Sequence, residues 1–465
     1  MKISLPQRAW YGDGVIEIGL PVTWDITTCT MPGHNRARLT KEEITSAFAH
    51  PIGTSKISEL AEGRTQAVIV FDDLSRPTRA SELVPHILAE LKAGGIADEA
   101  VRFVAGIGAH GAMKLMDFEK KLGRNVVQKF DVYNHNPYEN CTYVGQTSRG
   151  TPVYLNSEVM SCDLKILLGC IVPHPTAGFG GGAKLLVGIS HVDTIYANHH
   201  GIGGRSAPTP ENPMGGLHPS MGFGKVEGNV LRADLEEMAK MACVDCIVNA
   251  VVNCRRETIG LFVGDVVGAH REGVKMARQT YATESEGEFD VLVLNAYSKA
   301  NEASVVLSGL LTPLRKDGGD VVLICNTPEG QICHYTARSF GKERGGRLWG
   351  PRKTLPPRVN RLITVGPNIG RACLDWIGPA DHVIRVKRWS DALNLLKEWH
   401  GEHPKVGIVP DATIQYFPDR TAAASILTSG SSQDPNQKKG GYHEKKSFRN
   451  VVFGRDRVIH WSFNY

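Results

Sequence analysis

The sequence predicts an α/β protein of two domains, each with a mainly parallel sheet flanked by helices, and with the active site in the interdomain cleft. From Gln66 onward, short β-branched runs alternate with segments of helical periodicity, the pattern of strands joined by crossover helices. The alternation starts again near Phe289. At 465 residues with 50 glycines, the chain can bury two cores and is rich in the residue that tight strand-to-helix turns use.

Taken in order, Gln66-Ala-Val-Ile-Val-Phe71 reads as a buried strand, and Leu83, Ile87, Leu88 and Leu91 then recur at helical spacing up to a stop at Gly94-Gly95. Val101–Ala105 and Leu164–Leu168 are the next strands. The amphipathic run from Val266 to Tyr281 predicts a connecting helix. A second series follows: a strand up to Asn295, a helix from Glu302 to Leu311, and strands at Asp320–Ile324, Arg361–Val365 and Lys405–Val409. The expected domains are therefore residues 1–275, carrying cofactor binding and catalysis, and 276–427, with a polar basic tail over 428–465.

The net charge of +5 owes much to Lys438, Lys439, Lys445, Lys446 and Arg449 in that tail. They read as a solvated segment, so no nucleic-acid partner is expected. No apolar leader opens the sequence and no apolar run is long enough to span a membrane, which predicts a cytoplasmic protein without a membrane partner. Ten scattered cysteines form no compact framework, as suits reduced thiols. The one C-x-x-C, Cys243 to Cys246, runs into an apolar stretch and reads as a structural pair.

Each of the first three strands ends in a polar or glycine-rich loop, and the carboxyl ends of strands are where open α/β sheets bind ligands. Gly106-x-Gly108-x-x-Gly111, with Asp131 downstream, matches a dinucleotide fingerprint and keeps an NAD-dependent hydroxy-acid dehydrogenase as an alternative. Gly178-Phe-Gly-Gly-Gly-Ala-Lys184 resembles a P-loop without its metal-binding hydroxyl. Gly178, Gly181 and Gly182 would let backbone N–H groups cradle a mononucleotide phosphate. His110 and His174, in separate strand-end loops, could serve as paired acid and base. His199 is placed to give one imidazole to a metal.

Asp72-Asp-Leu-Ser-Arg-Pro, Gly108-Ala-His110, the block from Pro173 to Lys184 and Thr194-Ile-x-x-Asn-His199-x-Gly201 together resemble the nickel-dependent lactate racemase family, from about residue 45 to 270. The resemblance implies a nickel-pincer nucleotide, a pyridinium mononucleotide whose two sulfur arms and ring carbon hold Ni. It would be attached covalently at Lys184, with His199 as metal ligand and His200 as the alternative. It implies a racemase or epimerase that inverts the hydroxyl-bearing carbon of a small hydroxy acid or sugar acid by hydride transfer. His110 and His174 would be the two bases, Arg76 would hold the substrate carboxylate, and Asp73 and Ser75 would orient their loop or contact the cofactor. Cofactor-synthesis enzymes are implied partners. The sequence departs from the family pattern in two places: Leu186-Val187-Gly188 replaces Pro-Gly after the lysine block, and Val305 and Ser308 stand where lactate-specific members place a Gln-x-x-Lys pair. These two residues are thus the expected lining for a substrate larger than lactate. The cation-rich stretch Thr336–Thr354 could face a larger or more acidic substrate. A nickel-free, non-catalytic descendant that binds a nucleotide is the remaining alternative.

Overall fold

The computed structural model describes residues 1–202, 218–285, 287–334, 355–356, 358–370, 377–378 and 382–418, apart from the side chains of His200 and Ser308. The expected tail and the Thr336–Thr354 stretch lie outside the described residues.

Residues 67–72 are buried without interruption, and such continuous β-branched runs belong in sheets covered on both faces. They form the strand Ala67–Asp72 of a six-stranded sheet ordered Thr258–Gly264, Cys246–Val252, Leu164–Cys170, Ala67–Asp72, Val101–Gly106, Asp131–Asn134. All pairs are parallel except Cys246–Val252 with Thr258–Gly264. The pleat sends Ile69 and Phe71 to one face, where Leu83, Val84 and Ile87 of the helix Ala80–Ala93 cover them. Val68 and Val70 point to the other face, toward the core that holds Leu231, Leu235 and Met238 of the helix Val230–Met241. Strand order reverses between Ala67–Asp72 and Leu164–Cys170, and the strands flanking such a switch open a crevice at their carboxyl ends.

The second sheet is parallel throughout, ordered Val383–Val386, Val359–Val365, Gly319–Ile324, Val291–Asn295, Lys405–Val409, Asp25–Thr28. Its own switch lies between Val291–Asn295 and Lys405–Val409. The predicted helix Gly268–Tyr281 connects the two series, with Ala269, Val274 and Ala277 buried.

Two expectations are corrected. The strands of the first 28 residues do not build with the first sheet: Asp25–Thr28 pairs with Lys405–Val409. The hairpin of Lys2–Gln7 and Gly14–Gly19 buries Leu5 and Ile18 in the core of the second sheet, with Val291, Val293 and Ile408. Ile414 and Tyr416, conversely, return to the core of the first. A single cut near residue 275 therefore does not divide the sheets, and residues 1–418 form one compact unit. The strand Asp25–Thr28 is short and mostly exposed, so no apolar pattern announces which sheet it joins. The second correction concerns the helix expected over Glu302–Leu311. The chain instead forms an irregular 3₁₀ segment, Tyr297–Ser308, with non-helical backbone at Lys299 and Glu302.

Cys246 is buried and Cys243 exposed, and neither forms a disulfide. Among the described residues, no helix is long and apolar enough to cross a membrane.

Candidate active site

The loop leaving Ala67–Asp72 at the switch point is built from buried polar groups. Asp72, Asp73, Ser75 and Thr78 are all buried, so each needs a partner. Thr78 Oγ1 donates to Asp72 Oδ2 at 2.6 Å. Burial pushes the Asp72 carboxyl up, and the Lys121 ammonium opposes this from 2.6 Å. Lys121 also donates to the Asp73 and Arg76 carbonyls, each at 3.0 Å, so one buried cation fixes the loop's path. Asp73 Oδ1 accepts from the Ser75 N–H and hydroxyl. These bonds fix the turn that carries Asp73 and Ser75.

Asp73 Oδ2 lies 2.6 Å from His110 Nδ1. Burial disfavours the charged carboxylate, yet His110 and Arg76 hold Asp73 well below the usual carboxylate range. An ionised carboxylate only accepts, so Nδ1 of His110 carries a proton. The loop bearing His110 does not bind as a dinucleotide fingerprint does. It follows the second strand rather than the first, and Gly108 N and Gly111 N already donate to the Gly188 and Cys333 carbonyls at 2.7 and 3.1 Å.

His174 is wired the other way. Pro173–His174 pairs with Gly178–Phe179 in a two-stranded turn, and His174 Nδ1 accepts from the backbone N–H of Ala177 at 3.2 Å and of Thr176 at 3.3 Å. Burial, then the charges of Lys184, Arg76, Lys299 and His199, hold the imidazole well below its ordinary pKa. It is therefore neutral, with the proton on Nε2.

The helix Val230–Met241 fastens this turn: Asn229 Nδ2 donates to Thr176 O at 2.9 Å, and buried Arg232 donates to the Ala177 carbonyl at 3.1 Å and to that of Phe179. The glycines expected to cradle phosphate are explained by packing. At Gly178, where φ is +77°, a β-carbon would lie 2.2 Å from the Lys225 carbonyl oxygen. At Gly182, φ +56°, it would meet the His270 ring at 2.9 Å. Gly181 is similarly close to Asn249 Oδ1 at 2.6 Å. Gly180 N donates to Val172 O at 2.7 Å and Gly182 N to Asn249 Oδ1 at 2.6 Å, so these two donors are already engaged.

Lys184 follows on the 3₁₀ segment Gly182–Ile189. Burial, with Arg76 and Arg232 adding repulsion, lowers its ammonium from 10.5 to about 7. Such an amine is substantially unprotonated, hence nucleophilic, at neutral pH. His199 sits in a one-turn π segment, Ala197–Ile202, an irregularity frequent at functional sites. Asn198 Nδ2 donates to Asp234 Oδ2 at 2.7 Å and anchors the turn.

The second sheet reaches the same place. Its strand Val291–Asn295 leads into Tyr297–Ser308, where Lys299 and Glu302 fall three residues apart, the spacing that eclipses on a 3₁₀ helix. Glu302 Oε2 lies 2.7 Å from Arg76 Nη1 and 3.2 Å from Lys299 Nζ, and Oε1 lies 4.0 Å from His110 Nε2. Burial again opposes ionisation, but Arg76, Lys299 and His110 hold Glu302 well below the usual range. His334 adds a third imidazole, its ring 5.0 Å from that of His110. Burial, then His110, brings it down to about 3.

His110, His174, Lys184, Arg76 and His199 are thus electrostatic neighbours. Two site expectations change. Arg76 Nη1, expected to hold a substrate carboxylate, already holds Glu302. Val305 packs against the second core, the Ser308 side chain lies outside the described residues, and the polar groups of this segment are Lys299 and Glu302 instead. Sequence reading missed those two, with Lys121, Arg232, Asn249 and His334. The i,i+3 charge pair Lys299/Glu302 was the one available signal, and on a regular helix it would read as a solvated face.

Residues 11–208 match the lactate racemase N-terminal domain. The chain is 26% identical over 306 residues to the lactate racemase of Thermoanaerobacterium thermosaccharolyticum, covering 64% of this chain and 68% of that protein. It is 25% identical over 296 residues to the lactate racemase of Lactiplantibacillus plantarum, covering 62% and 67%. Its fold is similar to that of the T. thermosaccharolyticum lactate racemase apoprotein, with a TM-score of 0.66 at 19% identity over 90% of this chain and 100% of that one. It is also similar to a Thermotoga maritima protein, with a TM-score of 0.56 at 16% identity over 82% and 99%.

Proposed function

We propose that this chain, which belongs to the lactate racemase family through its N-terminal domain, inverts the hydroxyl-bearing carbon of a 2-hydroxy acid larger than lactate, using a nickel-pincer nucleotide. The observation that carries this reading is the opposed wiring of two imidazoles: His110 Nδ1 bonds a carboxylate, while His174 Nδ1 bonds backbone N–H groups. In the neutral forms one imidazole thereby turns a lone pair and the other a proton away from its partner, as general-base and general-acid steps on one oxygen require.

The residues fit the cofactor. The Lys184 amine, lowered to about 7, suits acyl or thioacyl attachment, and His199 offers one imidazole from a turn braced by Asn198. Among the described residues no group of three or more His, Cys, Asp or Glu side chains is placed to hold a metal ion. A metal here would therefore take most of its donors from the bound group, and soft sulfur with one imidazole suits Ni(II). When bound, the cofactor supplies the acceptor and donor of the hydride of the carbinol carbon. His110 Nε2 takes the hydroxyl proton, and Asp73 stabilises the resulting imidazolium. His174 Nε2–H donates to the oxygen when the opposite face is used. Lys299 and the part of Arg76 not bound to Glu302 supply positive charge for the carboxylate. Val305 and Ser308 stand in the sequence where lactate-specific members place an amide and an ammonium, which supports a substrate other than lactate.

The test is production alongside cofactor-synthesis enzymes, followed by peptide mass, nickel content and chirality measurements. The expected outcome is a nucleotide adduct on the Lys184 peptide that K184A lacks, and nickel lost with H199A far more than with H200A. Deuterium at the carbinol carbon should largely survive inversion. Washout of the deuterium to solvent, or inversion by nickel-free protein, overturns the reading.

A further inference from the structure

The tip of the N-terminal hairpin has an unusual backbone. Between the strands Lys2–Gln7 and Gly14–Gly19, Arg8, Trp10 and Asp13 all take the left-handed conformation, with φ of 60°, 68° and 41°. A bulky residue keeps that conformation only where its surroundings over-determine it. The hairpin is anchored on the second sheet: Asn295 Nδ2 donates to Pro6 O at 2.9 Å, and Gln7 Nε2 donates to Asn295 Oδ1 at 2.7 Å. These bonds lie at the carboxyl end of Val291–Asn295, one of the two strands flanking the second switch.

The tip itself crosses to the first sheet. Trp10 packs against the first core, and its Nε1–H donates to the Leu74 carbonyl at 3.0 Å. Leu74 C=O and Ser75 N–H belong to one planar peptide unit, and that N–H donates to Asp73 Oδ1 at 2.9 Å. Asp73 Oδ2 lies 2.6 Å from His110 Nδ1. Three bonds therefore lead from the indole to the imidazole, and bonds in such a series polarise one another. The indole face also meets two cations, with Arg256 Cζ 4.3 Å and Lys121 Nζ 4.9 Å from the ring centroid. Lys121 is the ammonium that holds the Asp73 and Arg76 carbonyls. Asp13 accepts from Arg256 Nη2 at 2.5 and 2.7 Å and from the Tyr297 hydroxyl at 3.0 Å. Tyr297 opens the segment that carries Lys299 and Glu302, so one turn touches both of the pieces that the Arg76–Glu302 pair joins.

We infer that Trp10 is a positioning residue: by fixing the Leu74–Ser75 peptide it holds Asp73 against His110, and Asp13 ties the same turn to the second sheet's side of the site. Its effect on turnover rests on the role given to His110 above, whereas the bond it governs can be read without turnover.

The experiment uses the full chain. In cofactor-free protein, NMR follows the exchange with water of the proton on His110 Nδ1, a signal identified by its loss in H110Q. In cofactor-loaded protein, kcat and KM are measured for the 2-hydroxy acid that wild type inverts fastest. Wild type is compared with W10F, D13N and I18V, and melting temperature reports whether each folds. W10F keeps an aromatic face for Arg256 and Lys121 but has no N–H to donate. D13N suits left-handed backbone, which asparagine tolerates, and loosens the turn from Arg256 and Tyr297. I18V trims one methylene from the second core and controls for lost stability alone. Exchange should be about 3–10-fold faster in W10F, with kcat lowered by a similar factor and KM within about twofold. D13N should move in the same direction by less, and I18V should stay within about twofold of wild type in both. Faster exchange in W10F, beside a wild type that inverts no 2-hydroxy acid, keeps the role of Trp10 and overturns the racemase reading. Unchanged exchange in folded W10F, or in D13N should W10F not fold, overturns this inference, as does an equal acceleration in I18V, whether or not inversion is seen.

Discussion

The loops carrying His110 and His174 hold the same side chain by opposite means. His110 leans on the Asp73 carboxylate, a charge that itself depends on Arg76 and Ser75. His174 leans on backbone N–H groups that no side-chain change can remove, in a turn pinned by Asn229 and Arg232. A carboxylate fixes the tautomer and also supports an imidazolium, whereas amide donors fix the tautomer and oppose it. One loop is therefore set to gain a proton and the other to give one. It also follows that the first loop can be disabled by a single substitution and the second only by degrees.

The sharpest way to break that comparison is D73N. The amide can donate to Nδ1 instead of accepting from it, which would move the proton to Nε2 and leave both imidazoles as donors. Inversion should fall by about 10²–10⁴-fold with little change in substrate affinity. An unaffected kcat would remove His110 from the role of base. A smaller effect is expected at Lys184, which shares the cationic surroundings of His174. Its folded pKa is about 7 against an ordinary 10.5, so the neutral amine becomes the main form as pH rises through 7 and not three units higher. Labelling of Lys184 in cofactor-free protein by an amine-acylating reagent, followed by peptide mass against pH, should be half-maximal near that value. K299M removes a repelling cation and also frees the Glu302 charge, so it should shift the midpoint upward. The smallest effect belongs to T176V. It deletes the hydroxyl 3.1 Å from His174 Nδ1 but leaves both backbone donors, so kcat should drop only about two- to tenfold. A loss as large as that of D73N would show that His174 depends on side chains after all.

The first half of the site was legible because its chemistry is concentrated in loops of unusual composition. Histidines and a lysine stand among glycines at the ends of continuous β-branched strands, and the strand order then brings Asp73, His110, His174 and Lys184 to one end of one sheet. The glycines were legible as necessary, but not that Lys225, Asn249 and His270 would be the groups packed against them. Lys299 and Glu302 were not legible. Their segment looks like any amphipathic helix, and only the backbone breaks at those two residues turn the pair toward Arg76. Lys121 was hidden for a related reason, since a lysine in the run Glu119-Lys-Lys121 reads as solvated until tertiary packing buries it completely. Three of the six strands of the first sheet and four of the six of the second were predicted, with ends shifted by a residue or two, while Asp131–Asn134, Cys246–Val252, Thr258–Gly264 and Val383–Val386 were not. The membership of Asp25–Thr28 was not, because a pairing partner so distant in sequence leaves no local trace.

That distant pairing sets a timetable for the molecule's making. Trp24 Nε1 donates to Gly401 O across 377 residues, and at roughly 5–20 residues per second of synthesis the N-terminal strand waits on the order of 20–75 s for its neighbour. The strands from Ala67 to Gly264 can meet one another during that interval. The second sheet cannot gain its last edge until Lys405–Val409 has emerged. A newborn chain therefore owns a first sheet still short of Ile414 and Tyr416, and a loose leading end. Glu302 meets Arg76 only once the later part of the chain has emerged and folded, so catalytic competence comes late in the chain's assembly.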